Sequence, residues 1–128
     1  MLKYFERSGV SWGSSREMVN LLVRRFRDLE INSIFITGVD ETEDSKKKKW
    51  FAPMLPGKLS KDVQGLVDIV GYIQKIPQDN GTVIRRLFLE GGTYGGVNIA
   101  AKHRFGPALK GCYLDEPTMQ KLYDLDNA

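Results

Sequence analysis

The sequence predicts an α/β fold, a mixed sheet holding one buried parallel strand, with a β-hairpin and flanking helices. Three observations carry that expectation. Apolar residues recur at spacings of three and four near the start of the chain, a short uncharged β-branched run follows at once, and two further strand-like runs are parted by five turn residues. A helix that leads closely into a buried strand is the second half of a βαβ unit. With 128 residues there is room for one domain with a core and too little for two ordinary ones, so residues 1–128 are read as a single domain.

Taken in order, the first helix is expected over about residues 15–29. Ser14 or Ser15 caps it, Met18, Leu21, Leu22, Phe26 and Leu29 form its apolar stripe, and Arg16, Arg24, Arg25 and Arg27 its solvated side. "INSIFITGV" is almost continuously apolar across residues 34–36, as in a strand covered on both faces. The acidic "DETED" then switches to a run of lysines, which marks a solvated loop within residues 40–58. Two prolines in "WFAPMLPGK" exclude a regular central strand there. "LSKDVQGLVD" reads as a short helix capped by Ser60 and weakened by Gly65. "DIVGYIQKI" and "TVIRRLFLE" pair as a hairpin through residues 77–81, and "GGTYGGVN" is a loop. "VNIAAKHRF" forms a last short strand, and residues 115–126 a C-terminal helix with Pro117 near its start.

Composition narrows the class. Hydrophobic residues at 41% and charged residues at 27% are those of a globular chain. No apolar run approaches the roughly 18 residues of a membrane span, and "MLKYFERSGVSW" has charges where a secretion signal needs an apolar segment. The single cysteine, Cys112, has no partner for an internal disulfide, which fits a reducing cytoplasm. One Cys and one His cannot make a tetrahedral zinc site. A net charge of +3 permits nucleic-acid binding without requiring it.

The Gly57-Lys58 pair in "MLPGKLSKD" invites a phosphate-loop reading. A P-loop needs G-x-x-x-x-G-K-[ST], and here Ala52 stands five before Gly57 while Leu59 follows Lys58. "GGTYGGVN" likewise misses the dinucleotide spacing G-x-G-x-x-G. Neither glycine cluster is a nucleotide cradle.

Three runs in this order, "EMVNLLVRRFRDLEINSIFITGVDE", "APMLPGKLSKDVQGLVDIVGYI" and "AKHRFG", resemble phage-encoded RecA-like ATP-binding proteins, a branch of the RecA-type recombinase superfamily. The resemblance spans about residues 11–106 and is to the C-terminal portion of such an ATPase. It implies a partial RecA-like core, with the Gly-Lys pair at the end of a DNA-facing loop. It further implies a DNA-dependent ATPase of recombination or single-strand annealing, located in the host-cell cytoplasm. ATP and magnesium are the cofactors of a complete member. This chain departs from the family in having no Walker A motif, and no apolar strand ending in Asp before the first helix. The aspartate of "VDIVGYI" precedes its apolar run, the wrong side for Walker B. Phosphoryl transfer without a phosphate cradle and a magnesium ligand loses its positioning and its electrostatics, so the chain alone is expected to hold no cofactor and to hydrolyse no ATP.

Two sites follow from the resemblance. Lys102 and Arg104 of "AKHRFG" match the basic pair that reaches a neighbouring subunit's nucleotide phosphates in RecA-type filaments; the pattern alone fits a solvated edge-strand pair. His103 between them is read as an exposed surface residue. Lys46, Lys47, Lys48 and Lys49, with Trp50 and Lys58, offer phosphate attraction and a stacking surface for single-stranded DNA. The competing reading is a solvated lysine loop anchored to the core by Trp50 and Phe51. The strand at residues 34–36 needs neighbours on both sides, so self-association or pairing with a partner ATPase subunit is expected. The alternative function is a non-enzymatic module that binds a partner protein, or a second copy, through its retained subunit surface.

Overall fold

A computed structural model describes residues 12–106, 111 and 113–127. Cys112 and the amino-terminal stretch searched for a secretion signal lie outside them. The described elements run α1 (Trp12–Arg27), β1 (Val39–Glu43), β2 (Lys49–Pro53), α2 (Leu59–Leu66), β3 (Tyr72–Pro77), β4 (Val83–Phe88), β5 (Gly92–Tyr94), β6 (Val97–Ile99), β7 (Tyr113–Asp115) and α3 (Met119–Asp126). The fold is a small mixed α/β arrangement with two sheets and, among the described residues, three helices. Contacts divide the chain into two compact units, one of residues 1–38 and 53–67, the other of residues 39–52 and 68–128.

The first unit holds α1 and α2. Its core is Val23, Leu59 and Val63, with Val19, Leu55, Leu66 and Val67 packed round it. Leu59 is fully buried. Only one edge of the broad apolar arc of α1 is covered, the stripe through Ser15, Val19 and Val23 at four-residue spacing. The residues expected to face the core, Met18, Leu21, Leu22, Phe26 and Leu29, are exposed instead. α2 packs on the Val19 and Val23 face and is also the shorter helix, eight residues spanning about 12 Å at 1.5 Å per residue against about 24 Å for the sixteen of α1. Polar groups fasten the same seam, with Arg16 Nε donating to Asp62 Oδ2 at 2.6 Å and Asn20 Nδ2 to the same oxygen at 3.1 Å.

The expected buried strand over residues 34–36 is absent. Ile34 is 65% and Ile36 91% exposed, and neither belongs to a sheet. A strand exists through its ladder partners, and the described residues supply none here. Phe35 touches the helix, its ring 6.0 Å from that of Phe26 in an edge-to-face contact. The segment ends at Gly38, whose carbonyl accepts from Met54 N at 2.9 Å.

Gly57 and Lys58 form a turn that leads into α2. Gly57 takes φ +56°, a conformation glycine adopts at no steric cost, and Leu59 N donates to Pro56 O at 3.2 Å. Lys58 is the N-cap residue and Ser60 is not; the Ser60 hydroxyl donates to Pro53 O at 3.0 Å, which ties α2 to the chain before it.

In the second unit, β1, β2, β6 and β5 form one sheet in that order, and β3, β4 and β7 another. Two expected loops are hairpins. The stretch across residues 40–58 begins with β1 and β2, whose five-residue connection is too short for anything but an antiparallel pair. β2 lies inside the sheet despite its proline because Pro53 is its last residue, where a missing N–H interrupts no ladder. "GGTYGGVN" contains β5 and β6, which pair Gly92 with Ile99 and Tyr94 with Val97 across Gly95-Gly96. Both turn glycines have positive φ, +57° and +80°, the condition for a tight two-residue hairpin of matching twist. A parallel pairing of Phe51 with Ile99 joins the two hairpins.

The hairpin of β3 and β4 forms as the sequence predicts, in register from Tyr72 opposite Phe88 to Pro77 opposite Val83. Its turn is closed by Gln78 N donating to Thr82 O, with Gly81 at φ +82°. β7 adds to β4, and a bridge between Val70 and Lys102 lies outside the named strands. Phe88 is the hub of this unit, with Tyr72, Tyr94 and Tyr113 at ring separations of 6.2, 4.5 and 5.9 Å. The C-terminal helix starts later than residue 115, at Met119, because Thr118 accepts from Lys121 N and caps it.

Truncating Leu59 to Ala removes the centre of the small helical core. Urea unfolding followed by far-UV circular dichroism is expected to show a loss of about 2–5 kcal/mol; an unchanged midpoint would contradict the packing described.

Candidate functional site

The lysine run sits on the connection between β1 and β2, and Asp44 organises it. Asp44 Oδ1 accepts from Lys46 N and Lys48 N, each at 2.9 Å, and Oδ2 accepts from the Trp50 indole Nε1 at 3.1 Å. The backbone closes the same turn through Asp44 N to Lys48 O and Lys47 N to Asp44 O, both 3.0 Å. Lys47 takes the left-handed conformation at φ +60° that the turn requires. The Lys48 backbone N–H, then the Trp50 indole, hold the Asp44 carboxyl below its usual range. The stretch is exposed, as a solvated loop is, but its backbone is ordered by these bonds. It is a hydrogen-bonded turn.

The four lysines have unlike surroundings. Lys46 and Lys47 stand exposed at the tip. Lys48 lies over the Trp50 ring with its ammonium 5.1 Å from the ring centre, and Lys49 pairs with Glu41 at 3.1 Å. Asp40, Glu41, Glu43 and Asp44 match the four lysines in number, so the hairpin has no net charge to attract a polyanion at long range. A stacking base would have to displace the Lys48 ammonium from its face of Trp50. Phe51 stacks on Tyr72 at 6.2 Å and serves as the anchor. Lys58 belongs to the other unit, at the start of α2.

Lys102 and Arg104 do not lie on a strand, since β6 ends at Ile99. Lys102 exchanges two backbone hydrogen bonds of 2.9 Å with Val70. Arg104 reaches Asp68 at 2.6 Å, an exposed ion pair that occupies the cation the resemblance assigns to phosphate. Asp68 is thus the partner of this arginine. His103 is not the exposed residue the sequence suggested. Its side chain is 10% exposed, Nε2 meets Glu90 Oε1 at 3.1 Å, and Nδ1 accepts from Phe105 N at 3.1 Å. The accepted bond at Nδ1 puts the neutral ring's proton on Nε2, which donates to Glu90.

Arg85 and Arg86 point to opposite faces of β4, as alternation demands. Arg86 makes a bidentate pair with Asp115 at 2.6 and 3.1 Å and covers the Tyr113 ring at 3.8 Å. Sequence reading did not find this cluster, because β7 is only three residues long and carries no turn signal of its own.

The surface that the sequence did not foretell is in the first unit. The exposed side of α1 continues into the apolar residues 31–36. Among the described residues no hydrogen bond engages the backbone of Ile34, Phe35 or Ile36. Ser33 Oγ is buried in that segment and Asn20 Oδ1 at the seam with α2, each without a hydrogen-bond partner among the described residues. The cleft between α1 and α2, about 410 Å³, is polar by contrast, lined by Arg16, Asn20, Arg24, Lys61 and Asp62. No group of three or more His, Cys, Asp or Glu among the described residues is placed to hold a metal ion. Nor is any described helix long and apolar enough to cross a membrane.

Comparison of the chain with protein-family models, with curated proteins and with solved structures gives no match.

Asp44 supplies a pH prediction. Its folded value is depressed, so its contribution to the turn is complete above the ordinary 3.8 and is lost as pH falls through the lower folded value. In a Trp12→Phe background, Trp50 emission is expected to shift to the red across that acid window. Asp44→Ala should show the shifted emission already at neutral pH; unchanged emission in that variant would refute the assigned role.

Proposed function

We propose that the chain is an assembly and nucleic-acid-contact module of RecA-like recombination or annealing type, one that hydrolyses no ATP by itself. The observation that carries this reading is the apolar side of the first unit, where α1 and residues 31–36 expose many large side chains next to backbone that has no hydrogen bond among the described residues. Exposed apolar patches of more than a few hundred Å² mark interaction sites in soluble proteins. The ordered runs "EMVNLLVRRF", "APMLPGKLSK" and "AKHRFG" support the RecA-like assignment. The neighbouring "SIFITGV" is β-branched and uncharged, the composition of a buried sheet strand, which favours its pairing with another chain. The absence of a G-x-x-x-x-G-K-[ST] motif supports the lack of hydrolysis.

Lys46 and Lys47 favour a second contact, with single-stranded DNA, because they alone of the four lysines project from the turn tip without an ion pair or a ring beneath them. Neutrality of the hairpin makes this contact subordinate to assembly: DNA is held once several tips are presented together.

Light scattering is expected to give a mass that is a multiple of the 14.5 kDa chain. Fluorescence anisotropy of a labelled single-stranded oligonucleotide across a salt series tests the tip. Changing Lys46 and Lys47 to Ala should lower the slope of log K against log salt by about 1.4, from ~0.7 for each phosphate that a lysine no longer neutralises. A monodisperse monomer would overturn the assembly reading, and an unaltered slope the DNA contact.

A further inference from the structure

We infer that residues 33–37 pair with the same residues of a second copy, as an antiparallel ladder in which Phe35 lies opposite Phe35. The inference rests on the assembly reading above and names its partner and its geometry.

Backbone chemistry selects a strand as the occupant. Ile34 and Ile36 are exposed to 65% and 91%, so burying them yields a large apolar gain. The same burial would dry the adjoining N–H and C=O groups, which engage no hydrogen bond among the described residues. A helix or an apolar ligand laid on this segment would leave those groups unsatisfied, at a cost that offsets the gain. A strand beside it supplies the ladder and covers the isoleucines together.

Charge and side-chain matching select a second copy. From Ile31 to Val39 no residue is charged, and the segment is β-branched and free of proline. Pairing about Phe35 sets Ile34 against Ile36 and Ser33 against Thr37, residues of like size and polarity on both strands. The arrangement is its own mirror under a two-fold axis, as an isologous dimer requires. It also has a fixed end, because Glu30 comes opposite Asp40, and like charges directly opposed are destabilising. The ladder therefore stops short of those residues, and added salt, by screening them, strengthens it. DNA contact responds to salt in the opposite sense.

Disulfide trapping in the full chain, with Cys112→Ser, tests the register. Directly opposed residues have Cα atoms about 4.5–5.5 Å apart, within disulfide reach, so Phe35→Cys is expected to run mostly as a covalent dimer after mild oxidation. Ser33→Cys alone should remain single, because its own copy lies four residues away, about 13 Å at 3.3 Å per residue. Mixing Ser33→Cys with Thr37→Cys should restore the link without touching Phe35, which covers the case in which Phe35→Cys fails to fold. An assembly that light scattering detects but that forms neither link overturns this inference and leaves the assembly reading standing. A monomer overturns both.

Discussion

Backbone N–H and C=O groups need partners wherever water is excluded, and in this chain that requirement bears hardest on residues 33–37. Their side chains are those of a sheet interior, yet among the described residues the contact they find is with α1. Phe35 makes the one aromatic contact available, to Phe26, while Ile34 and Ile36 stay in water on either side of it. The same shortage leaves much of the broad apolar arc of α1 uncovered, because α2, half its length, packs on the Val19 and Val23 face. The helical core of Val23, Leu59 and Val63 is correspondingly small, and the Arg16 to Asp62 pair with Asn20 beside it supplies direction more than stability at that exposed seam.

The second unit meets the requirement locally. Each of its hairpins closes its own hydrogen bonds, and longer-range pairing adds the parallel register at Phe51 and Ile99, the addition of β7 to β4, the bridge at Val70 and Lys102, and the rings gathered on Phe88. Charge is settled within the unit as well. Asp44 turns the lysine run back on itself, Glu41 takes Lys49, Asp68 takes Arg104 and Asp115 takes Arg86. The consequence for function is that three of the cations which look available in the sequence, Lys48, Lys49 and Arg104, are engaged within the fold. Lys46 and Lys47 project from the hairpin tip, and the apolar side of the first unit becomes the more informative surface.

Legibility in the sequence followed the range of the interactions concerned. The hairpin of β3 and β4 was readable because its alternation and its Pro77 to Gly81 turn are local, and so was the existence of α1. The face that α1 buries was not, since that depends on where α2 packs against it. Ser60 looked like a cap by type, but its hydroxyl is drawn to Pro53 O by a contact seven residues back. The hairpin at Gly95-Gly96 was passed over because three-residue strands have too little alternation to register, although the paired glycines are the signal that would have found it. For the site, the tip lysines were legible as a run, whereas the capture of Lys48, Lys49 and Arg104 by Trp50, Glu41 and Asp68 depends on turn geometry and on a partner 36 residues away. His103 was misread for the same reason, its partner Glu90 lying across the fold of β5 and β6.

The most direct measurement of the central claim is hydrogen exchange of the individual backbone amides of residues 33–37 at low and at high protein concentration. Amides in a ladder exchange only when it opens, so the account predicts protection that alternates along the segment and rises with concentration, while the amides of β3 and β4 stay unchanged. Exchange at the rate of an unstructured chain at every concentration would contradict it.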